Sequence, residues 1–495
     1  MLRTTLKPYQ PVGYGSLLIL LFLFSTVCKT QAQQNSLYNY QQLSHLFYAR
    51  QKDSIRKNWV CPVLYKEKET QKKYKEMWEE RTDFITSSLE AKDFVHDKEV
   101  YNYIEQIILE ITKANPTLIP TKPVLLLDRS ASVNAYTIGG NIIAVNAGLV
   151  AFAGYREEIA LVVAHELAHN ILNHADNSMK ERAEWFTSEE YKKSIISVLD
   201  SKYERLTRLK KVLEGFSFNR SKHNRYHESD ADSLGIVLLK NSHIAYNPVY
   251  FLRLDSADIQ YKQSLKQPIK NYFAGYNVPF EDTWIQKRSK GLSTKNYNFR
   301  DTTHLADSLK THPECVERYN KTLSLSTTEG RELKIPANVQ EQANKILIWN
   351  MFDNLNLTAC LYRILLQKDK GNKDEWYDFM IYNIFSGLYY SDQQLNRFNV
   401  IAVKQKEYIS KDYYELQNML EQIPKESLEQ YCKQLQNAPF WAAMNSDAKA
   451  LKPLMNSINF ETDISAKSKE NAAKDYIANY PNSMYCEFAE HFKKK

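Results

Sequence analysis

One uninterrupted stretch, Glu157–His174 (EEIALVVAHELAHNILNH), constrains this chain more than any other. Neither Gly nor Pro breaks it. Ile159, Val162, Val163, Ile171 and Leu172 give it a broad apolar surface, which predicts a helix buried in a core. Within it lies His165-Glu166-Leu167-Ala168-His169, an H-E-x-x-H pattern. Histidines four apart on a helix project from one face, so both imidazoles can reach one metal ion. Glu166 follows the first histidine, where a carboxylate can take a proton from a water activated by that metal. Residue frequencies alone give this pattern to roughly one chain in a hundred of this length. The plain alternative is a buried helix with two hydrogen-bonded histidines and an idle glutamate, and a third ligand is what separates the two. His174, nine residues beyond His165, points away from the paired face at 3.6 residues per turn. It is expected as an outer hydrogen-bond partner or a group favouring the helix C-terminus, not as a ligand.

The third donor is sought downstream. A catalytic zinc takes three protein ligands and leaves the fourth position to water. Arg225–Asp232 (RYHESDAD) runs into an apolar helical segment, and its Glu228 and Asp232, four apart, share a helical face. One of the two can bind the metal while the other hydrogen-bonds a ligand imidazole and fixes its tautomer. Taken alone, such a charge pattern is more often a solvated face.

Upstream, Val124–Leu127 (VLLL) reads as a short buried strand. Asn134–Thr137 and Ile142–Val145 flank Gly139-Gly140, the pattern of a hairpin. The free edge of its second strand is expected to hold an extended peptide by main-chain hydrogen bonds over the metal. Asn134, Ala135, Ile142, Ile143 and Ala144 are then the substrate-binding candidates; an ordinary core hairpin is the alternative. Lys98–Lys113 carries Val100, Ile104, Ile107, Ile108 and Ile111 at helical spacing, and Pro116, Pro120 and Pro123 mark a boundary after it. Ser178–Phe216 is charged and amphipathic and reads as one or two long helices, a scaffold or cover.

Gly and Pro number only 13 and 15 in 495 residues, which favours helices over a turn-rich β protein. The expected fold is mainly α with a small β-sheet (α+β). The expected regions are a signal peptide over 1–32, an N-terminal helical region over 33–116, a catalytic domain over 117–325 and a helical C-terminal domain over 326–495. That last part has a tetratricopeptide flavour at Asp475–Ser483 but no period of 34. The net charge of +7 is spread over mixed faces and suggests no nucleic-acid site.

Arg3 and Lys7 precede the apolar run Ser16–Val27 and a small-residue site at Thr30-Gln31-Ala32, a secretory pattern that leaves Gln33 as the new N-terminus. The chain is therefore expected to be exported, periplasmic or secreted, with a lipoprotein anchored through Cys28 as the alternative. No later segment is long and apolar enough for a membrane span. Six cysteines form no dense framework and no CxxC, and their pairing cannot be read from the sequence.

With these motifs together, the chain resembles a known family. His165–His174, Glu228–Asp232 (ESDAD) and Asn134–Leu149 (NAYTIGGNIIAVNAGL) match, in order, the zinc metallopeptidases that include HtpX, the CAAX prenyl proteases and the periplasmic BepA-type proteases. The likeness covers about Val124–Leu239, with a shorter match at Thr311-His312-Pro313 and Arg318. It implies a zincin-like (gluzincin) catalytic domain with one zinc ion. His165, His169 and Glu228 are then the ligands, Glu166 the general base, and Asp232 and Arg318 outer partners. His312 is implied to lie near the metal as an oxyanion donor or an occasional fourth ligand. Lacking the multiple membrane spans of HtpX and the prenyl proteases, this chain resembles the soluble, exported members. The expected activity is hydrolysis of peptide bonds in exported or misfolded envelope proteins. The alternative is an envelope quality-control or scaffold protein that binds through its C-terminal helices and cleaves little. A different zinc hydrolase, such as an amidase, is a third reading.

Overall fold

The structure is a computed structural model. It describes residues 45–90, 93–201, 203–255, 261–286, 315–326, 332–393, 395–460, 466–481, 483 and 485–490. The expected signal peptide, its alternative anchor Cys28, and His312 lie outside these residues.

Three helices come first: α1 (His45–Asn58), α2 (Lys68–Glu90) and α3 (Lys98–Ala114). The third begins as its sequence dictates. Asp97 caps it by accepting from the amides of Glu99 and Val100, and the apolar positions read from the sequence are all buried. The chain then lays down β1 (Val124–Asp128), β2 (Ala135–Gly139) and β3 (Ile142–Asn146). These form a mixed sheet in the order β1-β3-β2, with β1 parallel and β2 antiparallel to β3. The Gly-Gly turn is required on two counts. Gly140 has φ +58, and a Cβ there would meet the Trp59 ring at 2.1 Å.

The expected peptide-binding edge is corrected here. Ile142, Ile143 and Ala144 pair with Val124, Leu125 and Leu126 on one side and with Gly139, Thr137 and Tyr136 on the other. β3 is therefore the central strand. Its hydrogen-bonding edges are both occupied, every residue of it is buried, and no peptide can add to it.

After α4 (Ala147–Phe152) comes the motif helix α5 (Arg156–Ile171), with Ile159, Leu161, Val163 and Leu167 buried. Burial of four such side chains contributes about 1.5–3 kcal/mol each. The helix stops before the expected His174 because Asn173 adopts a left-handed conformation, φ 56, and starts α6 (His174–Thr187) in a new direction. The amphipathic stretch that follows resolves into α7 (Glu189–Asp200) and the 37-residue α8 (Arg205–Asn241), which carries Glu228 and Asp232. α8 crosses α5 closely at Gly235, where a Cβ would lie 3.1 Å from the His165 nitrogen and 3.2 Å from the Ala164 carbonyl carbon. That close crossing brings the two motif-bearing helices together.

The rest is helical: α9 (Val249–Asp255), α10 (Ile269–Phe273), α11 (Cys315–Thr322), α12 (Ala337–Asp353), α13 (Leu357–Asp369), α14 (Glu375–Gln393), α15 (Arg397–Ile401), α16 (Lys411–Gln422), α17 (Lys425–Gln436), α18 (Ser446–Asn459), α19 (Ala466–Asn479) and α20 (Cys486–Glu490). The protein is thus mainly α with one small sheet. One apolar core runs from Val95 to Ala489, across the division expected at 325/326. Polar contacts also cross it. Gln340 Nε2 donates to the Ala153 carbonyl at 2.7 Å, and the Leu333 amide to Glu157 Oε2 at 2.9 Å. Among the described residues Cys61, Cys315, Cys360 and Cys432 form no disulfide. Among the described residues no helix is long and apolar enough to cross a membrane.

Candidate metal centre

The crossing of α5 and α8 gathers His165, His169 and Glu228 into one buried cluster. The two Nε2 atoms are 3.1 Å apart. Glu228 Oε2 lies 3.3 Å from His165 Nε2, and Oε1 lies 3.5 Å from His169 Nε2. Three ligands at 2.0–2.1 Å from a tetrahedral zinc stand about 3.3–3.4 Å from one another. The observed spacing and the N,N,O donor set therefore fit such an ion, with room for one more ligand on the cleft side.

Each imidazole has a partner on its far nitrogen. Asp232 Oδ1 accepts from His165 Nδ1 at 2.9 Å, which turns the Nε2 lone pair toward the cluster. Asp232 is in turn held by Arg318 of α11, whose Nε donates to Oδ2 at 2.9 Å and whose Nη2 reaches Oδ1. The guanidinium lies over the Phe251 ring, 4.4 Å from its centroid. Burial and the Arg318 cation pull the His165 pKa down, but hydrogen bonds and charge from Asp232 and Glu228 overcome both and raise it to about 9. Burial pushes Asp232 up, yet His165 and Arg318 hold it at about 2. Without metal the pair is thus an ion pair, and a metal must displace a proton from His165.

On the other side, His174 Nδ1 is 2.8 Å from His169 Nδ1. Burial, and the His227 ring stacked on it at 4.2 Å, push His174 down to about 4. A neutral His174 can accept from His169 Nδ1–H and so present His169 Nε2 to the cluster. The helical-wheel expectation placed His174 too far away, because it assumed one continuous helix. Its role as an outer partner nevertheless agrees with the geometry. His227 was not anticipated at all.

Glu166 is buried and lines a cleft of about 640 Å³ together with His169 and Glu228. Asn134 and Ala135, two of the expected substrate residues, line the same cleft with Tyr136 and Thr137 of β2, the outer strand of the sheet. The facing wall comes from α2, through Met77, Glu80, Arg81 and Phe84. No local pattern signals that the N-terminal region reaches the cleft. Arg81 fixes that wall: its guanidinium packs over the Trp59 and Trp78 rings, at 4.9 and 4.4 Å, and pairs with Asp176 of α6.

A buried His-His-carboxylate cluster on crossing helices, beside a sheet edge and a cleft, defines a metallopeptidase-like centre. Comparison with known proteins agrees: residues 98–325 match the model of Peptidase family M48. A Vibrio cholerae serotype O1 protein named beta-barrel assembly-enhancing protease is 27% identical over 179 residues. That match spans 35% of this chain and 36% of the relative, so the chain covers about a third of the relative's length.

Proposed function

We propose that the chain is a zinc-dependent metalloendopeptidase acting on exported or misfolded envelope polypeptides. The observation that carries this is the convergence of His165 Nε2, His169 Nε2 and the Glu228 carboxylate within 3.1–3.5 Å, next to buried Glu166 at the cleft. A zinc ion held by these three residues would acidify a water and polarise the peptide carbonyl. With that chemistry supplied, Glu166 would act as the base that takes up a proton and passes it to the leaving amine. Asp232 and His174 fix the tautomers of His165 and His169, and Arg318 keeps Asp232 charged. The substrate strand lies along β2, whose Ala135–Thr137 segment lines the cleft together with Asn134 before it. His312 is proposed as an oxyanion donor on its sequence pattern alone.

The catalytic domain is proposed over residues 117–325, between an N-terminal helical region that walls the cleft and a helical C-terminal domain that recruits envelope proteins. The secretory pattern of residues 1–32 supports export, periplasmic or secreted. The name of the Vibrio relative suggests assembly of β-barrel proteins as one setting.

The experiment is cleavage of an unfolded casein by the purified chain, with and without a zinc chelator, beside Glu166→Gln. Chelator-sensitive cleavage that zinc restores and Glu166→Gln abolishes supports the proposal. Cleavage indifferent to both would remove it.

A further inference from the structure

Between the proposed ligands on α5 and Glu228 on α8 the chain makes a long excursion through α6, α7 and the first half of α8. The turn from α7 into α8 presents a surface that packing does not explain. Ile196, Leu199, Tyr203 and Leu206 are 56%, 59%, 79% and 84% exposed. Single exposed apolar residues are ordinary, but four large ones within eleven positions of one helical hairpin are not. Cations accompany them. Lys192–Lys211 carries seven Lys or Arg against two Asp or Glu, a net of +5. Lys193 and Arg208 line the same shallow hollow as Ile196 and Tyr203. Apolar side chains flanked by cations, with a Tyr among them, are what an anionic bilayer surface binds. The apolar groups enter the acyl boundary while the cations meet phosphates. A second copy of this hairpin would bring like charge against like charge.

We propose that the α7–α8 hairpin docks the protein on an anionic lipid surface through Ile196, Leu199, Tyr203 and Leu206. The docking point is far from the cleft. Arg205 to Glu228 spans 23 residues of α8, about 35 Å at the helical rise. Docking therefore leaves the metal centre free and is independent of the peptidase reading.

The test uses the full chain. Its apolar Ser16–Val27 run can itself carry protein to vesicles, so the readout is local to the hairpin. Leu199→Trp is titrated with phosphatidylethanolamine–phosphatidylglycerol vesicles and with phosphatidylcholine vesicles, each with and without brominated acyl chains. Emission from position 199, taken as the difference from the parent chain, shifts to the blue and is quenched on the anionic vesicles. Adding Lys193→Glu, Arg205→Glu and Arg208→Glu weakens that quenching at least about 30-fold. Casein cleavage is unchanged by the same three substitutions. No quenching at position 199 on anionic vesicles, or equal quenching on zwitterionic ones, overturns the proposal. So does a blue shift that grows with protein concentration without lipid, which would assign the face to a second copy.

Discussion

Asp232→Asn tests the candidate metal centre without touching one of its three proposed ligands. The Asp232 side chain is 6% exposed, and that of Arg318, which grips it through two nitrogens, 11%. Asparagine keeps the shape and removes the charge, leaving a buried guanidinium without its carboxylate. Breaking a buried pair from one side costs about 3–5 kcal/mol. The same carboxylate accepts from His165 Nδ1 at 2.9 Å, and loss of such a partner weakens metal binding about 10–100-fold, or about 1.4–2.7 kcal/mol. Two assays separate these effects: urea unfolding of the metal-free protein, and zinc competition with a fluorescent chelator. A double-mutant cycle with Arg318→Met should show coupling of about 2 kcal/mol or more in stability. Additivity within about 0.5 kcal/mol, together with unchanged zinc affinity, would refute the Arg318–Asp232–His165 chain of support.

Other outcomes follow from the same geometry. Glu166→Gln should retain one zinc per chain while kcat/KM on an unfolded substrate falls about 10²–10⁴-fold; retained activity would take Glu166 out of the reaction. Because the folded metal-free protein holds the His165 proton up to about pH 9, against 6.5 ordinarily, it binds more protons than the unfolded chain between those values. That stabilisation is complete below about pH 6.5 and is lost as pH rises through about 9, a change of about 3 kcal/mol at most. Thermal melts of the metal-free protein across that window should fall with pH, and a flat profile would contradict the ion pair. Gly235→Ala gains about 1 kcal/mol of helix propensity but pushes a Cβ to 3.1–3.3 Å from the Ala164–His165 backbone. Overpacking of this kind costs about 1–3 kcal/mol, so the urea midpoint and zinc affinity should both fall; an unchanged midpoint would mean the helices can part freely.

The clustering of the candidate residues was more legible than the strand order beside them. His165, His169, Glu228 and Asp232 sit at helical spacings of four, and such spacing sets a common face whatever the surrounding topology. The strand pattern likewise showed where β1, β2 and β3 lie. It could not show their lateral order: an all-apolar run such as Ile142–Val145 is what a central strand requires, and β1 closing its far side is a long-range pairing. His174 was misplaced because the left-handed turn at Asn173 carries no strong local signal; Gly is the usual residue there. The α2 wall of the cleft was invisible for a similar reason. Arg81, Trp59 and Trp78 meet β2 and α6 only through packing between segments far apart in sequence. Leu355, at φ 55, separates α12 from α13, again with no Gly to announce the break.

Anomalous diffraction recorded on either side of the zinc edge, from crystals of the purified chain, addresses the metal centre most directly. One strong difference peak is expected, about 2.0–2.2 Å from His165 Nε2, His169 Nε2 and a Glu228 carboxylate oxygen. No peak there in zinc-replete crystals, or a peak held by other residues, would contradict this expectation.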